Sequence, residues 1–188
     1  MILSKFKGQA SYRHGQTMCT TACVCACVAA LCNRDTFDQI ENIMNVASML
    51  HGRLQARQGH ALMSVRDVVE CREWQQFTMK IDLDEKSMVS KDFADEREGD
   101  EDDDFFIKPR QILERIHKKS AVILTAMDHS TCIFYNENLG GTCYFDPAPA
   151  TLFSSMDEND ILKILNDMSQ SVQCDVNFIK ISQKRVKT

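Results

Sequence analysis

Cys19 stands where a polar, glycine-punctuated stretch gives way to a run of small apolar residues, within residues 8–31 (GQASYRHGQTMCTTACVCACVAAL). That run carries no charge from Thr20 to Cys32, so it reads as a helix buried on all sides and opened by Cys19. A thiol at a helix start meets the positive end of the backbone dipole and unsatisfied N–H groups, which favour the thiolate and hence the nucleophile. Far downstream, His129 begins one strand-like segment and Asp146 ends the next. Segments 131–135 (TCIFY) and 142–145 (TCYF), joined by NENLGG, predict a hairpin whose antiparallel pairing brings those two ends together. A carboxylate on one imidazole nitrogen fixes the tautomer and leaves the other nitrogen aimed at a thiol. Cys19, His129 and Asp146 are therefore the candidate nucleophile, base and orienting acid.

The remaining cysteines of the run have blander readings. Cys23, Cys25, Cys27 and Cys32 suit small hydrophobic core positions. Cys19, Cys23 and Cys27 also recur every four residues, on one helical face, which admits a metal site; yet no second CxxC or HxxxH supplies the further ligand pair such sites use.

A chain of 188 residues predicts one domain, and 44% hydrophobic with 26% charged residues matches a globular protein. A net charge of -5 argues against a nucleic-acid partner, whose footprint would be basic. No apolar run reaches membrane-spanning length, and MILSKFKG lacks the apolar core of a signal peptide. Nine cysteines, an odd number with five of them in residues 19–32, where most pairs could not form unstrained disulfides, point to a reducing compartment, cytoplasm or nucleus.

The other elements must position this site. Residues 2–6 read as a strand or arm, and the polar stretch to Met18 as a loop. After the buried helix, Asp35 or Thr36 caps a second helix with an apolar stripe of Phe37, Ile40, Ile43, Met44 and Ala47. Gly52 and Gly59 bracket a loop in which His51 and His60 are surface residues. Ser64 caps a third helix, Val65 to about Glu73, with Val65, Val68, Val69 and Trp74 inward. Phe77, Met79, Ile81 and Leu83 alternate as a half-buried strand. From Asp84 to Asp104 the density of acids predicts a mobile insertion, near 84–104, that is either solvated or a lure for a basic partner. Pro109 opens the helix RQILERIHKK, with Ile112, Leu113 and Ile116 inward. Residues 121–125 (AVILT) form a buried strand, and the basic tail KISQKRVKT is a solvated end.

The order of a cysteine at a buried helix start, a histidine on a strand and a carboxylate one hairpin later resembles the papain-like cysteine proteases. More specifically, Gln9 within GQASY, the segment HGQTMCTTA, and AVILTAMDHSTCIFY followed by TCYFDPAPATLF are similar to the ubiquitin-specific protease domain of herpesvirus large tegument proteins and their relatives. The resemblance covers both ends of the chain; residues 33–105 carry no motif of that family. It implies a thiol-dependent deubiquitinase, with ubiquitin or a ubiquitin-like modifier as partner, a place in the virion tegument, and no metal or organic cofactor.

One departure is specific. In that family the base is the histidine two residues after the strand-end Asp, where this chain has Ala148. Either His129 takes over the role, or the chain is a relative that lost its base, or Ala148 replaces the natural residue. For the oxyanion donor the candidates are Gln16, three residues before Cys19, and Gln9, ten before, which occupies the family's glutamine context. Gln9, with the Cys19 backbone N–H, is the better placed. The resulting expectation is an α+β, papain-like fold over residues 1–188, with a helical subdomain at residues 19–73 packed on a C-terminal antiparallel sheet.

Overall fold

The apolar segments of the second half resolve into one sheet whose two faces are both covered. The computed structural model describes residues 1–32, 40–76, 79–88, 106–116, 120–171 and 174–183. Eight strands run along the chain as β1 (Ile2–Lys5), β2 (Met79–Met88), β3 (Phe106–Ile107), β4 (Ser120–Ala126), β5 (His129–Asn136), β6 (Gly141–Asp146), β7 (Thr151–Met156) and β8 (Cys174–Gln183). In space their order is β1-β7-β6-β5-β4-β8-β2-β3. All pairings are antiparallel except β2 with β3. The helices among the described residues are α1 (Cys19–Leu31), α2 (Ile40–Gln58), α3 (Val65–Val69), α4 (Pro109–Arg115) and α5 (Glu158–Ser171).

Strand alternation assigns each helix its face. In β4, Ala121 and Ile123 join α1, α2 and α3 in one core cluster, while Val122 and Leu124 join Ile112 of α4 and Ile161 and Leu165 of α5 in the other. A strand buried on both faces needs no polar alternate, which is why AVIL is continuous. The α+β architecture, with α1 to α3 on one face of an antiparallel sheet, is the expected one. Helix α1 is buried along its length, from Cys19 through Val28. Ser64 caps α3 in a reciprocal capping box with Asp67, and Pro109 opens α4.

Several expectations are corrected. The loop bracketed by Gly52 and Gly59 is instead the second half of α2, and His51 lies inside that helix, fully buried. Gly52 is a point of close approach: a Cβ there would lie 2.5 Å from His14 Nε2. Gly59, at φ +77°, ends the helix. The third helix closes at Val69 and is followed by a 3-10 segment, Arg72–Gln76. The acid-rich stretch does not leave the sheet at Asp84, because Asp84 to Met88 continue the ladder with β8. The rest of the expected insertion, from residue 89, lies outside the described residues, as do Asp35, Thr36, Phe37 and Phe77. The tail is no solvated end as far as Gln183: Lys180 to Gln183 belong to β8, an interior strand between β4 and β2. Edge strand β1 pairs with β7, and α5 covers the second face; neither the helix nor β7 was evident from the sequence.

Candidate active site

Helix α1 starts at the end of the sheet where β4 turns into β5. Its first residue, Cys19, is 3% exposed, and its thiol donates to the Asp128 carbonyl at 3.5 Å. Asp128 sits in the two-residue turn before β5, where Met127 and Asp128 both have positive φ, 48° and 57°. That turn conformation matches the twist of the flanking strands and drops His129 at the base of β5, beside the thiol.

His129 Nε2 donates to Asp146 Oδ1 at 3.0 Å, and the same oxygen accepts the Ala148 N–H at 3.0 Å. Nδ1 is thereby left for Cys19, and the two side chains are near enough for each to shift the other's titration. Carrying the β5–β6 register of Cys132 with Phe145 three positions further would set His129 across from position 148. The imidazole thus reaches the Asp146 carboxylate diagonally across the strands, from beside the place where the resembling family carries its base.

Burial pushes the Cys19 thiol up, but the hydrogen bond to His129, a backbone hydrogen bond from Ser130, the imidazolium charge and a backbone hydrogen bond from Thr20 outweigh it, so its pKa lies below the ordinary value. His129 is pushed up to about 10, first by the hydrogen bond to Asp146 and then by that to Cys19. Both shifts favour the thiolate–imidazolium form of the pair over the neutral one. The other core cysteines go the opposite way: burial raises Cys23 and Cys71 to about 11 and Cys25, Cys143 and Cys174 to about 12, and it raises Cys27 and Cys132 as well. Cys23 donates to the Ser130 carbonyl at 3.3 Å, a packing contact on β5. Among the described residues, no three His, Cys, Asp or Glu side chains come together as a metal site.

The register of α1 on the sheet is held by groups the sequence reading did not single out. Thr20 Oγ1 and Ser130 Oγ are 2.9 Å apart, and Ser130 Oγ and Thr125 Oγ1 are also 2.9 Å apart. This hydroxyl chain ties the first turn of α1 to both strands of the hairpin. Its sequence signal is only that Thr20 and Ser130 each follow a candidate catalytic residue. His51 clamps the other side: Nε2 meets Thr17 Oγ1 at 2.9 Å and Nδ1 meets Thr21 Oγ1 at 3.0 Å. The loop before Cys19 and the helix after it are thus pinned to α2.

Gln9 lies in a 3-10 turn, Gln9–Ser11, and its N–H donates to the Pro147 carbonyl at 3.1 Å, on the Asp146 side of the cleft. A Cβ on Gly15 would fall 1.7 Å from the Gln9 carbonyl oxygen, so only glycine lets the loop fold back over it. Gln9 Oε1 is buried and has no hydrogen-bond partner among the described residues. Gln16 is exposed.

No protein-family model matches the chain, and no curated protein does either. Among solved structures, the chain is similar to the ubiquitin-specific protease encoded by murine cytomegalovirus tegument protein M48, in complex with a ubiquitin-based suicide substrate. The two superpose with a TM-score of 0.72 over 100% of this chain and 89% of that one, at 13% sequence identity. The fold is shared; so low an identity carries nothing finer.

Proposed function

We propose that this chain is a thiol-dependent protease that cleaves peptide or isopeptide bonds at the C-terminus of ubiquitin or a ubiquitin-like modifier. The observation that carries the reading is the juxtaposition of Cys19, His129 and Asp146, in which Cys19 is shifted towards the thiolate while Cys23, Cys25, Cys27, Cys71, Cys132, Cys143 and Cys174 are shifted away from it, on the fold of a viral ubiquitin-specific protease.

The Cys19 thiolate attacks the scissile carbonyl carbon. The oxyanion that forms is met by the Cys19 backbone N–H and by Gln9 Nε2. His129 passes its proton to the departing amine, leaving a thioester on Cys19, and then takes a proton from the water that attacks it. Asp146 holds the ring in the productive tautomer and stabilises the imidazolium. This chemistry requires no metal or organic cofactor. It does require a reduced thiol, which suits the cytoplasm or nucleus, or a virion tegument delivered there. No described helix is long and apolar enough to cross a membrane.

Ala148 favours a second reading, a ubiquitin-binding relative that has lost its base. Exposure to ubiquitin bearing a C-terminal electrophile separates the two. The protease reading expects a covalent adduct mapped to Cys19 and abolished in Cys19→Ala; the binding-module reading expects reversible binding with no adduct.

A further inference from the structure

One hydroxyl beside the candidate triad has no task in the resting arrangement. Thr131, on β5, is 3% exposed, and its Oγ1 is buried with no hydrogen-bond partner among the described residues. A buried hydroxyl left unpaired is costly, and valine would fill the same strand position without that cost. Threonine here calls for a partner that becomes available at another stage.

The surroundings narrow the choice. On β4, Thr131 pairs with Leu124, which offers no polar side-chain atom. On β6, carrying the register of Cys132 with Phe145 one position further sets Thr131 directly across from Asp146. Strand alternation puts both side chains on one face. Cys132 and Phe145 pack in the cluster under α1, whereas Ile133 belongs to the opposite cluster with Tyr144 packed against it, so Thr131 and Asp146 point to that opposite side. Side chains that face each other across an antiparallel pair have Cβ atoms about 4.5–5.5 Å apart, a gap that a hydroxyl and a carboxylate close by one turn about χ1. Asp146 has an oxygen to offer. Its Oδ1 accepts from His129 Nε2 and from the Ala148 N–H, whereas Oδ2 accepts from no described residue. The Tyr144 phenol lies near enough for Thr131 to bear on its titration, yet it completes no hydrogen bond to that hydroxyl.

We infer that Thr131 is a positioning residue for the proposed cleavage, its hydroxyl turning to donate to Asp146 Oδ2 while His129 carries its proton without a thiolate beside it. In the thiolate–imidazolium pair, the Cys19 sulfur and Asp146 share the positive ring. When the sulfur bonds to the carbonyl carbon its negative charge passes to the oxyanion, and the imidazolium then depends on Asp146 until its proton reaches the departing amine. A carboxylate held through Oδ1 alone can swing about χ2; a donor on Oδ2 stops it. The inference rests on the protease reading above and adds a residue to which that reading gives no role.

The test compares Thr131→Val, which removes the hydroxyl and keeps the shape, with Thr131→Ser, which keeps the hydroxyl and removes a buried methyl. Both kcat and KM are read on a ubiquitin C-terminal coumarin amide, and the same proteins are melted. The two orders are expected to cross. Thr131→Val should melt at or above its parent and lose about tenfold in kcat with KM unchanged, while Thr131→Ser should melt below its parent and hold kcat within about threefold. A packing role would make activity follow stability instead. In an Asp146→Ala background Thr131→Val should have no further effect on kcat, because the hydroxyl acts through the carboxylate. A Thr131→Val variant as fast as its parent, a Thr131→Ser variant as slow as Thr131→Val, or an equal loss with and without the Asp146 carboxylate overturns the role. A parent chain that neither cleaves the amide nor forms an adduct with the ubiquitin electrophile overturns the protease reading itself, and the role with it, so the two failures are distinct.

Discussion

His129 Nε2 donates to Asp146 Oδ1 at 3.0 Å across the β5–β6 hairpin, although their positions are two residues out of step in its register. The diagonal is possible because the turn after β6 delivers the Ala148 N–H to the same oxygen, fixing the carboxylate, while Ala148 itself brings no long side chain to compete with the imidazole. On the proposed reading, His129 and Asp146 thus serve as base and orienting acid without a histidine at position 148.

Thiol reactivity should single out Cys19. With a small alkylating agent at pH 7, mass mapping is expected to find Cys19 modified first, Cys32 more slowly as a half-buried thiol, and Cys23, Cys25, Cys27 and Cys132 protected until unfolding. First modification at Cys23 or Cys25 would show that α1 begins elsewhere.

The pH dependence of kcat/KM should be bell-shaped, with the acidic limb set by a thiol below its ordinary range and the alkaline limb near the His129 value of about 10. Because the hydrogen bond to Asp146 is the largest contribution raising His129, Asp146→Asn should move the alkaline limb to lower pH and cost roughly 10–100-fold in rate. An alkaline limb that stays in place would detach Asp146 from the base.

His51 should make the fold acid-sensitive. Burial first, and His14 second, hold its pKa below 6.5, so the folded state binds fewer protons there than the unfolded chain. Its contribution to stability is present above 6.5 and is lost as pH falls below that value. His129 acts in the opposite sense, losing its contribution as pH rises from 6.5 to about 10, so the interval from 6.5 down to about 5 isolates His51. Thermal melts should fall through this interval in the natural chain and stay flat in His51→Gln.

Breaking the hydroxyl chain at its centre should cost more than removing it. Ser130→Ala leaves the Thr20 and Thr125 hydroxyls without their shared partner and should lower unfolding stability by about 1–3 kcal/mol. Adding Thr20→Val and Thr125→Val, which removes the stranded hydroxyls, should recover part of the loss in urea unfolding. A triple variant weaker than the single would mean that the chain contributes little of its own.

Much of the site was legible because its signals are local. The abrupt switch at Cys19 marks a buried helix start, and the tight connection before Gly141 pairs two strands whose ends carry His129 and Asp146. What was missed depends on contacts distant in sequence. Gly52 reads as a breaker, yet it lies inside α2, where the missing side chain leaves room for the His14 ring. His51 reads as a loop residue until Thr17 and Thr21 are seen on its two nitrogens. Strand β8 alternates Val176, Phe178 and Lys180 with Asp175, Asn177 and Ile179, yet the basic residues at its end suggest a solvated tail. Nothing in the sequence says that β4 and β2 flank it.

The most direct test of the central claim is kcat/KM for hydrolysis of a ubiquitin C-terminal coumarin amide by the natural chain, His129→Ala and Ala148→His. The account predicts turnover by the natural chain, a loss of about 10³-fold or more in His129→Ala with Cys19 still buried in a folded protein, and no gain in Ala148→His. A natural chain that is inert until Ala148→His supplies a base, or a His129→Ala variant that cleaves as well as its parent, would contradict it.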